Sequence, residues 1–241
     1  MKALQLSHYP INLGDTVLHL LPQNAIFWPE ENTLLVADLH LGKEHVFGRR
    51  GIAIPEGPSN ATLNNLSTLL HNTGASDCVV LGDFFHDTPR SNDSWLSAVS
   101  HFLDDHPNVT MQITAGNHDK QIGQSLIDSR LVWHNEPLYR GSLVLQHEPG
   151  SDSRGHVLAG HLHPVVSIGD KFQRTLRSRC FWHQPHCTVL PAFGQFTGGY
   201  QVTPAPSDQV FLADTERVIA VPHNAIARSK RRSRTEGIQT P

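Results

Sequence analysis

The chain of 241 residues is short of the features that mark several large protein classes. It has only three cysteines, Cys78, Cys180 and Cys187. Their odd number and the lack of a C-x-x-C pair exclude a disulfide scaffold and Cys-rich structural zinc. No stretch approaches the roughly 18 consecutive apolar residues of a membrane-spanning helix. The N-terminal apolar run is broken by Ser7, His8, Asn12 and Asp15, so no secretory signal is expected and a reducing cytoplasm is the expected setting. Neither sign of charge dominates, with 19 Lys+Arg against 22 Asp+Glu and a net charge of -3. With 38% hydrophobic residues the chain can bury a core, which excludes disorder throughout.

Basic charge is concentrated at one end, where Arg228, Lys230, Arg231, Arg232 and Arg234 crowd together. Two readings stand for this tail: a solvated end, or a contact with a polyanion such as nucleic acid. The expected organisation is one domain over residues 1–216, then a last strand and a basic, flexible tail over 217–241. Apolar runs at Thr16–Leu21, Ala25–Trp28 and Thr33–Ala37, separated by turn residues, read as strands. Further runs precede Gly82, Ala115 and His147. Between them, Pro58–His71 and Asp93–Leu103 carry leucine and aromatic residues at helical spacing. The alternation is that of an α/β protein. After Gly160 short strand candidates replace helices, at Val165–Ile168, Cys187–Leu190, Gln209–Leu212 and Arg217–Val221. Two facing mixed β-sheets flanked by helices accommodate both halves.

The abundance that matters is histidine, 17 residues in all, and its placement after the apolar runs. The third run leads into Asp38-Leu39-His40, and Cys78–Leu81 leads into Gly82-Asp83. The next runs lead into Gly116-Asn117-His118-Asp119, into His147, and from Val157–Ala159 into Gly160-His161-Leu162-His163. In open α/β sheets ligands bind beyond the carboxyl ends of strands, so the five loops are expected to converge. They bring two carboxylates, an amide oxygen and several imidazoles, a set suited to manganese, iron or zinc rather than to an all-oxygen magnesium or calcium cage. So many donors exceed one ion's need and fit two ions sharing a carboxylate.

In this order the motifs resemble the calcineurin-like metallophosphoesterases. The resemblance implies that Asp38, His40 and His163 hold one metal, that Asn117, His147 and His161 hold the other, and that Asp83 bridges them. It also implies that His118 faces the substrate as the catalytic residue. The stretches LLVADLHLGKEHVFGRRGIAIPEG and LPAFGQFTGG are similar to the bacterial ligase-associated DNA-damage-response phosphoesterases. That narrower resemblance implies a manganese-dependent phosphodiesterase and DNA endonuclease linked to repair, with ligase, helicase or nuclease proteins as partners. Many members carry Asp or Asn three residues after the bridging aspartate, where this chain has His86. Asp87 and Asp119 are then the candidates to orient His118, and His86 either contacts a phosphate or packs.

The expected chemistry is in-line attack on phosphorus by a hydroxide supplied between the two ions, with His118 protonating the leaving oxygen. Lys43, Arg49 and Arg50 are candidate contacts to a flanking phosphate, against the reading of a basic exposed helix face. The competing functions are a phosphomonoesterase, a small cyclic-nucleotide phosphodiesterase, and a non-catalytic scaffold.

Overall fold

Four antiparallel strands followed by three parallel ones make the first sheet. They are β1 (Tyr9–Leu13), β2 (Thr16–Leu21), β3 (Ala25–Trp28), β4 (Thr33–Val36), β5 (Asp77–Leu81), β6 (Thr110–Thr114) and β7 (Leu131–His134), and their spatial order equals their chain order. The structure is a computed structural model that describes residues 7–52, 57–90, 93, 95–119, 128–135, 137–169, 175–214 and 216–227. The basic cluster from Arg228 to Arg234 lies outside the described residues.

The crossovers between the parallel strands carry the helices. Helix α1 (Lys43–Arg49) and α2 (Pro58–Thr73) lie between β4 and β5, and α3 (Leu96–Asp105) between β5 and β6. Pro58 opens α2 at a position where its missing N–H costs nothing, and Gly74 closes it in the left-handed conformation, donating to the Leu70 carbonyl. Leu63, Leu66, Leu69 and Leu70 form the buried stripe of α2, and Val99, Phe102 and Leu103 that of α3. Both pack on one face of the first sheet with Val36, Cys78, Val80 and Ile113. Helix α3 begins three residues later than the apolar spacing suggests. Its start is preceded by Asp93, whose carboxylate accepts from the Arg90 N–H and the Arg49 guanidinium.

The second sheet is built from β8 (Leu138–Arg140), β9 (Leu143–Leu145), β10 (His156–Ala159), β11 (Pro164–Gly169), β12 (Thr175–His183), β13 (Cys187–Val189), β14 (Tyr200–Gln201), β15 (Gln209–Ala213) and β16 (Val218–Ala220). Its main path runs β14-β11-β12-β13-β10-β9-β8, with β15 and β16 added beside β12. The sheets face each other through one apolar layer, in which Leu20, Ile26, Leu35, Val79 and Leu81 meet Leu145, Leu158, Phe181, Leu190 and Phe211. Each fully buried side chain of this kind contributes about 1.5–3 kcal/mol. The fold is therefore the expected pair of mixed sheets with helices outside. All three cysteines are buried and free. Among the described residues no helix is long and apolar enough to cross a membrane.

Candidate metal centre

The carboxyl ends of β4, β5, β6, β9 and β10 deliver their following residues to one place at the seam of the two sheets. Asp38, His40 and His163 bring one donor atom each into a group whose members all lie within 4.8 Å, and Asp83, His147 and His161 form a second such group. In the first, His40 Nε2 and His163 Nε2 are 3.1 Å apart, and His163 Nε2 is 3.6 Å from Asp38 Oδ1. In the second, Asn117 Oδ1, His147 Nε2 and His161 Nδ1 form a triangle with each side 3.0 Å. Ligand bonds of about 2.1 Å place neighbouring donors of an octahedral ion about 3.0 Å apart, so the triangle has the dimensions of one coordination face. Asp83 Oδ2 sits between the groups, 3.7 Å from His40 Nε2 and 3.5 Å from His147 Nε2. The donor chemistry and spacing thus fit two borderline divalent ions sharing Asp83.

Strained backbone is gathered at the same place. Seven non-glycine residues have positive φ among those described, and five of them are Asp38, His40, Asp83, His161 and His163. Each such conformation costs on the order of 1–3 kcal/mol and persists only where the surroundings over-determine it. Packing supplies that constraint. At Gly82 any Cβ would stand 2.0 Å from His147 Nδ1, so only glycine lets the second sheet's ring approach this turn. The Asp38 carboxylate, fully buried, accepts the His161 N–H at 3.0 and 2.9 Å, tying a loop of each sheet to the other. Asp83 Oδ1 accepts the His118 N–H at 3.0 Å.

Each ring is held through its remote nitrogen. His147 Nδ1–H donates to the Leu81 carbonyl at 3.1 Å, which leaves Nε2 as the donor atom facing Asn117 and Asp83. His40 Nδ1 lies 3.4 Å from His86 Nδ1. Burial, followed by the charges of His163 and Lys43, pushes the His40 imidazole down to about 2, so it is held neutral, the form a metal ligand requires. Burial and Lys43 likewise lower His86 to about 4.

His118 is oriented by the main chain, which corrects the expectation that Asp87 or Asp119 would do it. Its Nδ1 lies 2.7 Å from the His86 carbonyl, which can only accept, so Nδ1 carries a proton and Nε2 is the nitrogen turned to the site. Asp119 is spent elsewhere. Its buried carboxylate accepts the N–H groups of Gly116, Phe84 and Phe85, clamping the β5 and β6 loops together. Desolvation raises it to about 6, against the opposing pull of those three donors. Asp87 is exposed and faces Thr88 N and Arg49. His86 packs, with its ring stacked on His118 at 4.9 Å and near-parallel to Phe47 at 6.2 Å.

The candidate phosphate contacts divide. Arg49 is committed to Asp93 at 2.9 Å, with Asp87 at 3.9 Å, which removes it from the set of free cations. Arg50 stands exposed just past α1. Lys43 is half-buried at the start of α1, its Nζ 5.7 Å over the Phe196 ring. The turn that presents it is fixed by Ser59, whose Oγ accepts the Gly42 N–H at 2.8 Å and donates to the buried Glu44 carboxylate at 2.9 Å.

The conspicuous stretch Leu190–Gly199 is a strap laid across the first metal loop. Phe193 N–H and Gly194 N–H donate to the Ala37 and Asp38 carbonyls, and a Cβ on Gly194 would meet Leu39 O at 2.3 Å. Arg179 on β12 holds the strap from the other side, donating to the carbonyls of Ala192, Gly194 and Gln195 and to Thr197 Oγ1. Nothing in the sequence marks Arg179, because three of its four partners are main-chain oxygens that leave no trace in side-chain identity.

No family model and no curated protein matches the chain. Among solved structures it is similar to nuclease MPE of Pseudomonas putida, with 35% identity over 89% of this chain and 100% of that one at a TM-score of 0.75. A remote likeness to the phosphoesterase Yfce of E. coli, 16% identical over 81% of this chain and 96% of that one at a TM-score of 0.41, is too distant to inform the chemistry.

Proposed function

Because the chain belongs to the metallophosphoesterase family, we propose that it is a manganese-dependent phosphodiesterase acting on DNA as an endonuclease. The observation that supports this most directly is the pair of donor groups sharing Asp83, set at strand ends contributed by both sheets. In this reading Asp38, His40 and His163 would hold one ion and Asn117, His147 and His161 the other, with Asp83 shared between them. Two divalent ions bound there would supply an activated water near neutral pH and would neutralise charge on the phosphate.

The rest is the work of side chains. The buried Asp38 and Asp83 set the negative charge of the site, and the neutral imidazoles add ligation without further charge, so the loaded site stays net positive and attracts a phosphodiester. His118, with Nδ1 anchored on the His86 carbonyl, holds a proton at Nε2 for the leaving oxygen, a contribution of roughly 10²–10⁴ in rate. At the position where Asp or Asn is expected, His86 serves twice, through its carbonyl to His118 and through its ring beside His40 Nδ1.

The test is hydrolysis by metal-stripped protein refilled with manganese, offered single-stranded DNA, bis-p-nitrophenyl phosphate and p-nitrophenyl phosphate, with Asp83→Ala as control. Manganese-dependent cleavage of DNA and the diester, lost in the control, is the expected result. Activity confined to the monoester would replace this reading with a phosphatase.

A further inference from the structure

Phe196 is 39% exposed, yet the main chain around it is fixed. Gly194 N–H is bonded to Asp38 O, Gln195 N–H to Thr62 Oγ1, and Arg179 grips Gln195 O and Thr197 Oγ1 on either side of it. Its ring meets Phe47 edge-on at 5.8 Å, and Phe47 lies near-parallel to His86, which stacks on His118. A run of rings thus leads from the metal centre to the surface and ends in an exposed phenyl on a rigid support. The exposed ring of Tyr139 differs, since the Arg154 guanidinium covers it at 3.6 Å.

Over one face of the Phe196 ring, 5.7 Å from its centroid and so farther than the guanidinium that covers Tyr139, stands the Lys43 ammonium, which pairs with no carboxylate among the described residues. Burial lowers its affinity for the proton, and its charge is felt at both His40 and His86. An unpaired cation flanking an exposed aromatic face suits a ligand with a flat ring and an anionic group a few ångströms apart, which describes a nucleotide. Base-on-aromatic stacking tolerates any base, because every base has a π-face.

We propose that Phe196, Phe47 and Lys43 form a nucleotide subsite, in which Phe196 stacks a base of the bound strand and Lys43 pairs with a phosphate flanking the one at the metal centre. The subsite deepens the phosphodiesterase reading and rests on it for the phosphate at the metal centre, but its binding is measurable apart from turnover.

The experiment is fluorescence anisotropy of a labelled oligothymidylate, and of the same backbone built from abasic residues, titrated with metal-free protein. Phe196→Ala is expected to weaken the thymidylate complex about tenfold, Phe196→Trp to retain it, and neither to change binding of the abasic strand. Lys43→Met is expected to weaken both strands by a similar factor and to flatten the salt dependence. The proposal is overturned if Phe196→Ala binds oligothymidylate like the parent, if it weakens both strands equally, or if the parent binds neither. A parent that binds oligothymidylate in this pattern but does not cut it with manganese supports the subsite and refutes the nuclease reading instead.

Discussion

The two sheets contribute different chemistry to one site. The first supplies every oxygen donor, from Asp38, Asp83 and Asn117, together with His40, from turns packed beneath two helices. The second supplies His147, His161 and His163 and nothing anionic. Neither donor group is complete on one sheet, since His163 joins Asp38 and His40, while His147 and His161 join Asp83. Metal binding at this seam would therefore be coupled to the docking of the sheets. Ions in this seam would cross-link the halves, and the apolar layer behind it positions the donors.

The largest expected effect comes from removing the group common to both halves. Asp83→Ala is expected to lower turnover by on the order of 10³ and to abolish the binding of paired ions, measured by steady-state kinetics and metal analysis. His161→Ala removes one donor from the second sheet alone. It is expected to leave the first ion bound, so a variant losing both ions equally would break the distinction between the groups.

Stability gives the next test. An ion present at about 100 times its dissociation constant adds about 2.7 kcal/mol, which for a chain of this size corresponds to a rise in Tm of about 5–10 °C. Calorimetry with manganese and then with chelator measures this, and an unchanged Tm would show that the sheets dock without regard to the ions. Arg179→Met frees the strap from the second sheet while leaving every donor in place. Its expected effect is a roughly tenfold loss in kcat/KM, with metal content unchanged.

The smallest effect lies in the second sheet, far from the donors. His156 and His183 stack at 5.4 Å and share Thr188 Oγ1, each at 2.8 Å. Burial and the neighbouring His183 lower His156 to about 4. The unfolded chain therefore binds this proton more readily than the folded one. The stability it protects is complete above about pH 6.5 and falls as pH drops towards 4, by about 1 kcal/mol once screening of a half-exposed ring is allowed. Urea titrations at pH 7 and pH 4.5 should show this slope reduced in His156→Gln.

The same contrast governs what the sequence reveals. In the first sheet β2 to β6 are apolar runs between turn residues, and the leucine spacing of α2 marks its buried face, so both are legible. In the second sheet β12 escapes notice because Arg177 and Arg179 interrupt its pattern and its first residues are exposed. Helix α1 is short and rich in charged residues, and shows in the sequence only as the alternative reading of Lys43, Arg49 and Arg50 as a basic helix face. The donor residues are legible because each follows a strand directly. The partner of His118 is not, because the acceptor is the His86 carbonyl, and any residue carries one. Phe196 is hidden for a related reason, since the strap that carries it is anchored on the Ala37 and Asp38 carbonyls, Thr62 Oγ1 and Arg179, groups distant from it in sequence.

Whether both sheets together hold a bridged pair of ions is decided by electron paramagnetic resonance of the protein loaded with manganese. A spin-coupled signal is expected from the parent, replaced by the pattern of isolated ions in Asp83→Ala. An isolated-ion pattern from the fully loaded parent would contradict the bridged pair.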